Sequence, residues 1–331
     1  MHMRWLVRCL TSVLIVSLIT CTAVAAEYSA RAYSMGGAYN ALSSDVSGLA
    51  YNPGGLGQKW FDAAWTMGST DSETLSKLRS ALKNPTDLGQ DYNMSGLAAI
   101  GLGPVALGLL IDGKYEVDTE GVNKIIDTEF QQRMAIGAGF TVVSVPLNAG
   151  KLRMGFQVQR RDAERRRFEV NTDTSAVTET AWDGVGYSLG VGVLANITEL
   201  VTLGVSARDL AAQTHWTGTT TSGGVTTAEP SYTERLTSVT SGSVAVRLPF
   251  PKITLAIDGD TVGTVHFGAE ANFLFNAISL RAGQTRPKDG TPITTAGLGA
   301  NLGPISVGVG AGTKNGFTAL DTTFADVSIR F

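Results

Sequence analysis

From residue 93 onward apolar and polar residues alternate with period two, the mark of strands buried on one face. Leu152, Met154, Phe156 and Val158 share a face, with Arg153, Gly155, Gln157 and Gln159 opposite. Val265, Phe267, Ala269, Ala271 and Phe273 stand against His266, Gly268, Glu270 and Asn272, and Tyr187, Leu189, Val191 and Val193 against Ser188, Gly190 and Gly192. The final stretch sets Val327, Ile329 and Phe331 against Asp326, Ser328 and Arg330. The pattern predicts strands over 60–68, 94–103, 104–113, 130–143, 150–165, 184–195, 199–211, 234–247, 252–259, 264–274, 277–285, 294–302, 303–312 and 322–331.

A soluble sandwich also alternates, with its apolar faces inward. Here the polar face carries many glycines as well as charges, and the segments approach the 9–11 residues (roughly) with which a tilted strand crosses a bilayer. Tight connections (Gly103-Pro104, 144–149, 196–198, 248–251, Phe275-Asn276, Gly303-Pro304) alternate with longer ones (69–93, 114–129, 166–183, 212–233, 286–293, 313–321), and only 260–263 breaks the rule. Short periplasmic turns, long outer loops and an even strand count describe an outer-membrane barrel. The expected class is therefore all-β: a transmembrane antiparallel β-barrel of about 14 strands with a short N-terminal plug segment. Hydrocarbon cannot satisfy backbone polar groups, so a sheet persists there only when closed on itself.

Residues 1–26 read as a secretory leader, with Arg4 and Arg8 before a short apolar core and an Ala23-Val24-Ala25 cleavage pattern. The expected units are 1–26 as leader, 27–58 as plug and 59–331 as barrel, exported to the outer membrane of a Gram-negative cell. Terminal Phe331 after an alternating strand resembles the signal read by the outer-membrane assembly machinery. Glycine accounts for 39 of 331 residues, charged residues for 17%, and the net charge is -3. That balance argues against a nucleic-acid partner. Both cysteines, Cys9 and Cys21, lie in the leader, and the three histidines, His2, His215 and His266, are far apart. No G-x-S-x-G, H-E-x-x-H or EF-hand pattern occurs, so no metal, cofactor or enzymatic activity is expected.

The polar faces nominate the lumen lining: Arg133, Arg153, Arg161, Arg208, His266, Glu270 and Arg281. A two-residue turn at Phe275-Asn276 would set Glu270 opposite Arg281, to stiffen the wall or to select among solutes. Inward glycines such as Gly137, Gly139, Gly192 and Gly268 signal either curvature or close approach of another chain segment. Residues 27–58 mix small and apolar residues with turn signals at Gly36-Gly37 and Asn52-Pro53-Gly54-Gly55, and Ser44 or Asp45 can cap a short helix over 45–49. Leu75, Leu78 and Leu82 predict a short amphipathic helix in the first outer loop. Arg160-Arg161 and Arg165-Arg166-Arg167 form a basic cluster, either a solvated strand end or a phosphate site. Thr217–Thr227 reads as a flexible polar loop.

Ala30-Arg31-Ala32, Met35-Gly36-Gly37-Ala38, Ser44-Asp45 and Tyr51-Asn52-Pro53-Gly54-Gly55-Leu56 resemble the N-terminal signature of an outer-membrane superfamily. It comprises FadL-like hydrophobic-compound transporters and PorV/PorQ-like proteins. The stretches 266–270, 280–283 and 201–210 are similar to recurring strands of that group. The resemblance implies a plug or gate carried by Arg31, Met35, Gly36, Gly37, Asp45, Asn52 and Pro53. In the transporter branch small hydrophobic compounds pass the outer membrane passively and leave sideways through the wall; in the PorV branch the barrel serves a protein-secretion system. A general polar porin is the third alternative. The expected partners are outer-membrane lipid, a small hydrophobic ligand and, in the second branch, a secretion-system protein.

Overall fold

A computed structural model describes residues 27–69, 92–145, 150–314 and 321–331. The leader and the helix expected at 74–82 lie outside the described residues. The strands are β1 (Phe61–Ser69), β2 (Tyr92–Leu102), β3 (Val105–Glu120), β4 (Asn123–Val145), β5 (Gly150–Asn171), β6 (Val177–Asn196), β7 (Val201–Ser222), β8 (Val225–Arg235), β9 (Val239–Leu248), β10 (Ile253–Asp260), β11 (Val265–Phe273), β12 (Ile278–Arg286), β13 (Ile293–Leu302), β14 (Ile305–Thr313) and β15 (Thr322–Arg330). Apart from β8 and β9, which both pair with β7, each strand pairs antiparallel with its neighbour in the chain, and β15 returns to β1 through a ladder running from Asp62↔Arg330 to Ser69↔Thr323. β8 and β9 share one place in the wall: β8 pairs with the outer part of β7 (Gln213–Ser222), and β9 with its inner part (Val201–Arg208). The fifteen strands thus fill fourteen positions of a closed barrel.

The outward faces form an apolar belt. Ile136, Val158 and Leu189 follow one another across β4–β6, and Leu280, Leu298 and Val309 across β12–β14; all are exposed to the surroundings. Such a belt on a closed sheet places lipid outside. The register predicted for the 274–277 turn is present, with Glu270 opposite Arg281 and Asn272 opposite Ser279.

Three segments expected as outer loops are strands instead. β3 and β4 run to a turn at 121–122, β5 and β6 to 172–176, and β7 and β8 to 223–224. The polar Thr217–Thr227 run is a hairpin, because threonine is β-branched and suits a pleated surface even where both faces meet water. Gly223 and Gly224 adopt φ +56° and +80°, which a two-residue hairpin turn of this hand requires. Hydroxyls pair across it, as in Thr221–Thr226 at 2.9 Å. The basic cluster is threaded with acids: Arg165 meets Glu129 and Glu234, Arg166 meets Glu179, and Arg167 meets Asp127 and Glu169.

These extensions make the wall uneven. β4, β5 and β7 hold 23, 22 and 22 residues, whereas β10 and β11 hold 8 and 9. At about 3.3 Å per residue, and allowing for tilt, the tall side stands roughly 30 Å above the short one. Between the two ladders of β7 the register shifts twice against β6, with Asp209 and Ala211 at φ +56° and +51°. This double bulge is a local break in the wall pairing.

Arginine on the belt near mid-height meets hydrocarbon, whereas arginine on the outer extension meets water. Ile136→Arg is expected to lower unfolding free energy in lipid by about 2–4 kcal/mol. Thr219→Arg should leave it unchanged; equilibrium denaturation in vesicles measures both.

Candidate functional site: the lumen and the segment within it

Residues 28–56 lie inside the barrel, and most of their side chains are buried. The segment is made of short turns, each opened by its own cap. Ser29 precedes helix α1 (Ala30–Ser34) and accepts from Ala32 N–H. Asp45 accepts from Ser47 N–H at 3.0 Å and opens the 3-10 turn Val46–Leu49. Asn52 accepts from Gly54 N–H at 2.9 Å and opens Pro53–Gly55, with Pro53 at the first position, where its missing N–H costs nothing. The polar residues singled out in the sequence at 45 and 52 are thus helix-cap residues.

Short turns leave most backbone groups without an internal partner, and an enclosed polar group without one is costly. The wall supplies them. Asp258 accepts from the N–H groups of Tyr39 and Asn40 at 2.9 and 2.8 Å, Asp62 from Val46 N–H at 2.8 Å, and Asp326 from Arg31 N–H at 3.3 Å. His266 Nδ1 and Thr285 Oγ1 donate to Gly36 C=O at 2.6 and 2.7 Å. Arg153 donates to the carbonyls of Gly54 and Leu56, and Arg208 to that of Ala50 at 3.5 Å. In return Asn52 Nδ2 donates to wall carbonyls of Val193 and Val205 at 3.1 and 3.4 Å. Inward glycines receive the segment closely. A Cβ on Gly155 would collide with Pro53 C=O, one on Gly192 with the Asn52 amide, and one on Gly268 or Gly283 with Met35. Between close approach and curvature, close approach accounts for these positions.

Ion pairs complete the attachment. Arg31 grips Glu270 with two hydrogen bonds of 2.8 and 2.7 Å, and Arg281 reaches the same carboxylate at 2.7 Å. Arg330 bonds Asp45 at 2.6 Å and approaches Asp62 at 3.6 Å. Arg161 pairs with Asp209 of the bulge at 2.9 Å. Arg133 pairs with Asp112 at 2.7 Å; the Tyr28 hydroxyl bonds both and lies 2.6 and 2.7 Å from the two Asp112 oxygens. Arg133, Arg153, Arg161, Arg208, His266, Glu270 and Arg281 all take part in these bonds. Asp112, Asp209 and Asp326 lie within predicted strands, and Glu27 and Tyr28 in the expected plug, but their partners are distant in the chain and no local pattern marks them. Burial alone would raise the Asp45 carboxyl, but Arg330 and two bonds from Ser47 outweigh it and hold it below the usual carboxylate range. Burial pushes the Glu27 carboxyl up, against the Tyr51 hydrogen bond and the charges of His266 and Arg208.

The segment separates open spaces. Toward the outside lie a cavity of about 450 Å³ beside Met94, Asp112, Lys114, Arg133 and Arg208, and one of about 230 Å³ beside Glu27, Asn40, Asp258 and His266. Toward the periplasmic turns lies one of about 330 Å³, lined by Asn272, Asn276, Asn301, Ser279 and four arginines. Among the described residues no group of three or more His, Cys, Asp or Glu is arranged to hold a metal ion.

No protein-family description and no curated protein sequence matches the chain. Solved structures do. The fold is similar to that of the toluene transporter TbuX of Ralstonia pickettii (TM-score 0.66, 11% identity, covering 92% of this chain and 99% of that one). It is also similar to the toluene transporter TodX of P. putida (0.60, 10%, 92% and 99%) and to a FadL homologue of Pseudomonas aeruginosa (0.58, 10%, 93% and 99%). At these identities the likeness is one of fold. The PorV/PorQ side of the resemblance has no counterpart among these three.

The geometry sets two outcomes. Gly155→Val drives a side chain into Pro53 and should expose residues 27–58 to protease while the barrel persists; an unchanged digestion pattern would contradict the packing. The folded Asp45 value lies below the unfolded one of about 3.9, so its stabilisation is present above that value and is lost as pH falls through the folded value. Asp45→Asn leaves Arg330 short of its carboxylate, costs about 3 kcal/mol and should remove this acid-sensitive component from melts recorded against pH. Glu27, shifted the other way, contributes stability that is lost as pH rises.

Proposed function

We propose that the chain is an outer-membrane barrel for passive transport of small hydrophobic compounds, with residues 27–58 as its plug. The observation that carries this reading is a fold shared over nearly its whole length with barrels described as toluene transporters, joined to an inner segment that separates outer from periplasmic cavities. The outer cavity, at about 450 Å³, falls within the roughly 300–1,000 Å³ of small-molecule sites, and the Tyr28 ring and Met94 supply its apolar surface. The double bulge adjoins it through Arg208 and Asp209, and we assign the sideways exit of apolar cargo to that interruption.

The bonds around Asn52-Pro53 favour an anchor over a moving gate. Asn52 is fully buried, bonds two wall strands and sits against Gly192. The secretion-accessory and general-porin readings remain alternatives in which the barrel holds a protein partner or passes polar solutes freely.

Expression in a Gram-negative host lacking its own hydrophobic-compound channels tests the reading. Initial uptake of radiolabelled toluene should rise severalfold over the empty host. Uptake equal to the empty host, with the barrel present and folded, would overturn it, and co-purification of a stoichiometric secretion component would favour the accessory reading.

A further inference from the structure

The cavities on the two sides of the segment meet at one side chain. Tyr28 lines both the outer cavity of about 450 Å³ and the periplasmic one of about 330 Å³, and it is the residue common to the two. Each space is large enough for on the order of ten waters. The Tyr28 ring is 2% exposed. It is fixed at its tip by Asp112 and Arg133, and the Arg133 guanidinium lies 5.2 Å from the ring centroid. The backbone at this point is held independently: Tyr28 N–H donates to Tyr51 Oη at 2.8 Å, and Ser95 Oγ donates to Glu27 C=O at 2.9 Å. Loss of the ring therefore leaves the segment attached.

The periplasmic cavity suits water rather than grease, and the outer one sets charged groups beside the apolar surface of Tyr28 and Met94. The periplasmic cavity presents asparagine amides, serine and threonine hydroxyls, and four guanidinium groups against three carboxylates. The outer one presents three cations (Lys114, Arg133, Arg208) against three acids (Asp112, Glu129, Asp209). Near-balanced charge gives ions of either sign little advantage.

We propose that the barrel contains a second route, which shares the outer cavity with apolar cargo and diverges beyond it: an aqueous path for small hydrophilic solutes, inorganic ions included, with weak charge preference, closed by the Tyr28 side chain. It does not depend on the identity of any hydrophobic ligand.

Planar-bilayer recording of the folded protein tests it, with the heat-dependent gel shift of a closed barrel as the folding control. The parent should conduct little. Tyr28→Ala should raise steady conductance at least about tenfold by removing the constriction, whereas Tyr28→Phe, which keeps the ring, should stay near the parent. Across a KCl gradient the reversal potential of Tyr28→Ala should lie close to zero. Both natural cysteines fall within residues 1–26, so Tyr28→Cys provides a further readout. It should conduct like the alanine variant and close again when the introduced thiol reacts with a benzyl methanethiosulfonate, which restores an aromatic ring; the parent treated identically is the control. A folded Tyr28→Ala variant that conducts no more than the parent would overturn the proposal. So would a parent already as conductive as that variant, or a strongly cation- or anion-selective current. If the alanine variant fails to fold, Tyr28→Cys that carries no current before reaction overturns it equally.

Discussion

Where an irregular stretch of chain packs against a barrel wall there is no room for water to complete its hydrogen bonds, and short turns cannot complete them internally. The wall must do so. That requirement explains why a barrel with an apolar exterior carries so many ionisable groups inside. Asp62, Asp258 and Asp326 accept from backbone N–H groups, while Arg153, Arg208 and His266 donate to backbone carbonyls. Of the other inward charges, Arg133 and Arg161 pair with wall acids, and Glu270 and Arg330 pair with Arg31 and Asp45 of the segment. Inward charge here has a structural task first, and any effect on passing solutes follows from what is left over.

Glycine completes the fit. Hydrogen bonds between the segment's backbone and the wall require approach closer than a side chain allows, and the inward rows of β4–β7 and β11–β14 provide it. A strand row of glycine weakens a sheet taken alone; here the loss is offset by contacts that only a bare backbone can make. The anchor is densest at Asn52-Pro53, where three strands converge on a single turn, and thinner at Glu27 and Tyr28, where side-chain tips hold the chain.

Much of this was readable from the residues. Alternation located the strands of the thin side and the lipid-covered part of each of β3–β7, because belt residues such as Phe156 and Val191 are unambiguous where lipid covers them; β8 was not separated from β9. It faltered where strands leave lipid: in Thr217–Thr227 both faces meet water, so the apolar half of the pattern disappears and β-branching with a Gly-Gly turn is the remaining clue. The register around 274–277 was legible because a tight turn fixes it, and Glu270 and Arg281 followed. Their third partner, Arg31, is 239 residues distant from Glu270, and no local pattern encodes that meeting. Tyr28 was hidden for the same reason; its role depends on Asp112 and Arg133, which neighbour it only after the barrel closes.

The unequal heights of β4–β7 and β10–β11 tip the rim. A molecule arriving from above the tall strands meets a polar palisade of threonines and crossed arginine–glutamate pairs, whereas among the described residues the low strands β10 and β11 end beside the cavity of about 230 Å³. Among the described residues the rim is in effect a half-open collar, high along β4–β7 and low along β10–β11, so the two sides of the molecule present different faces to whatever lies beside it in the membrane.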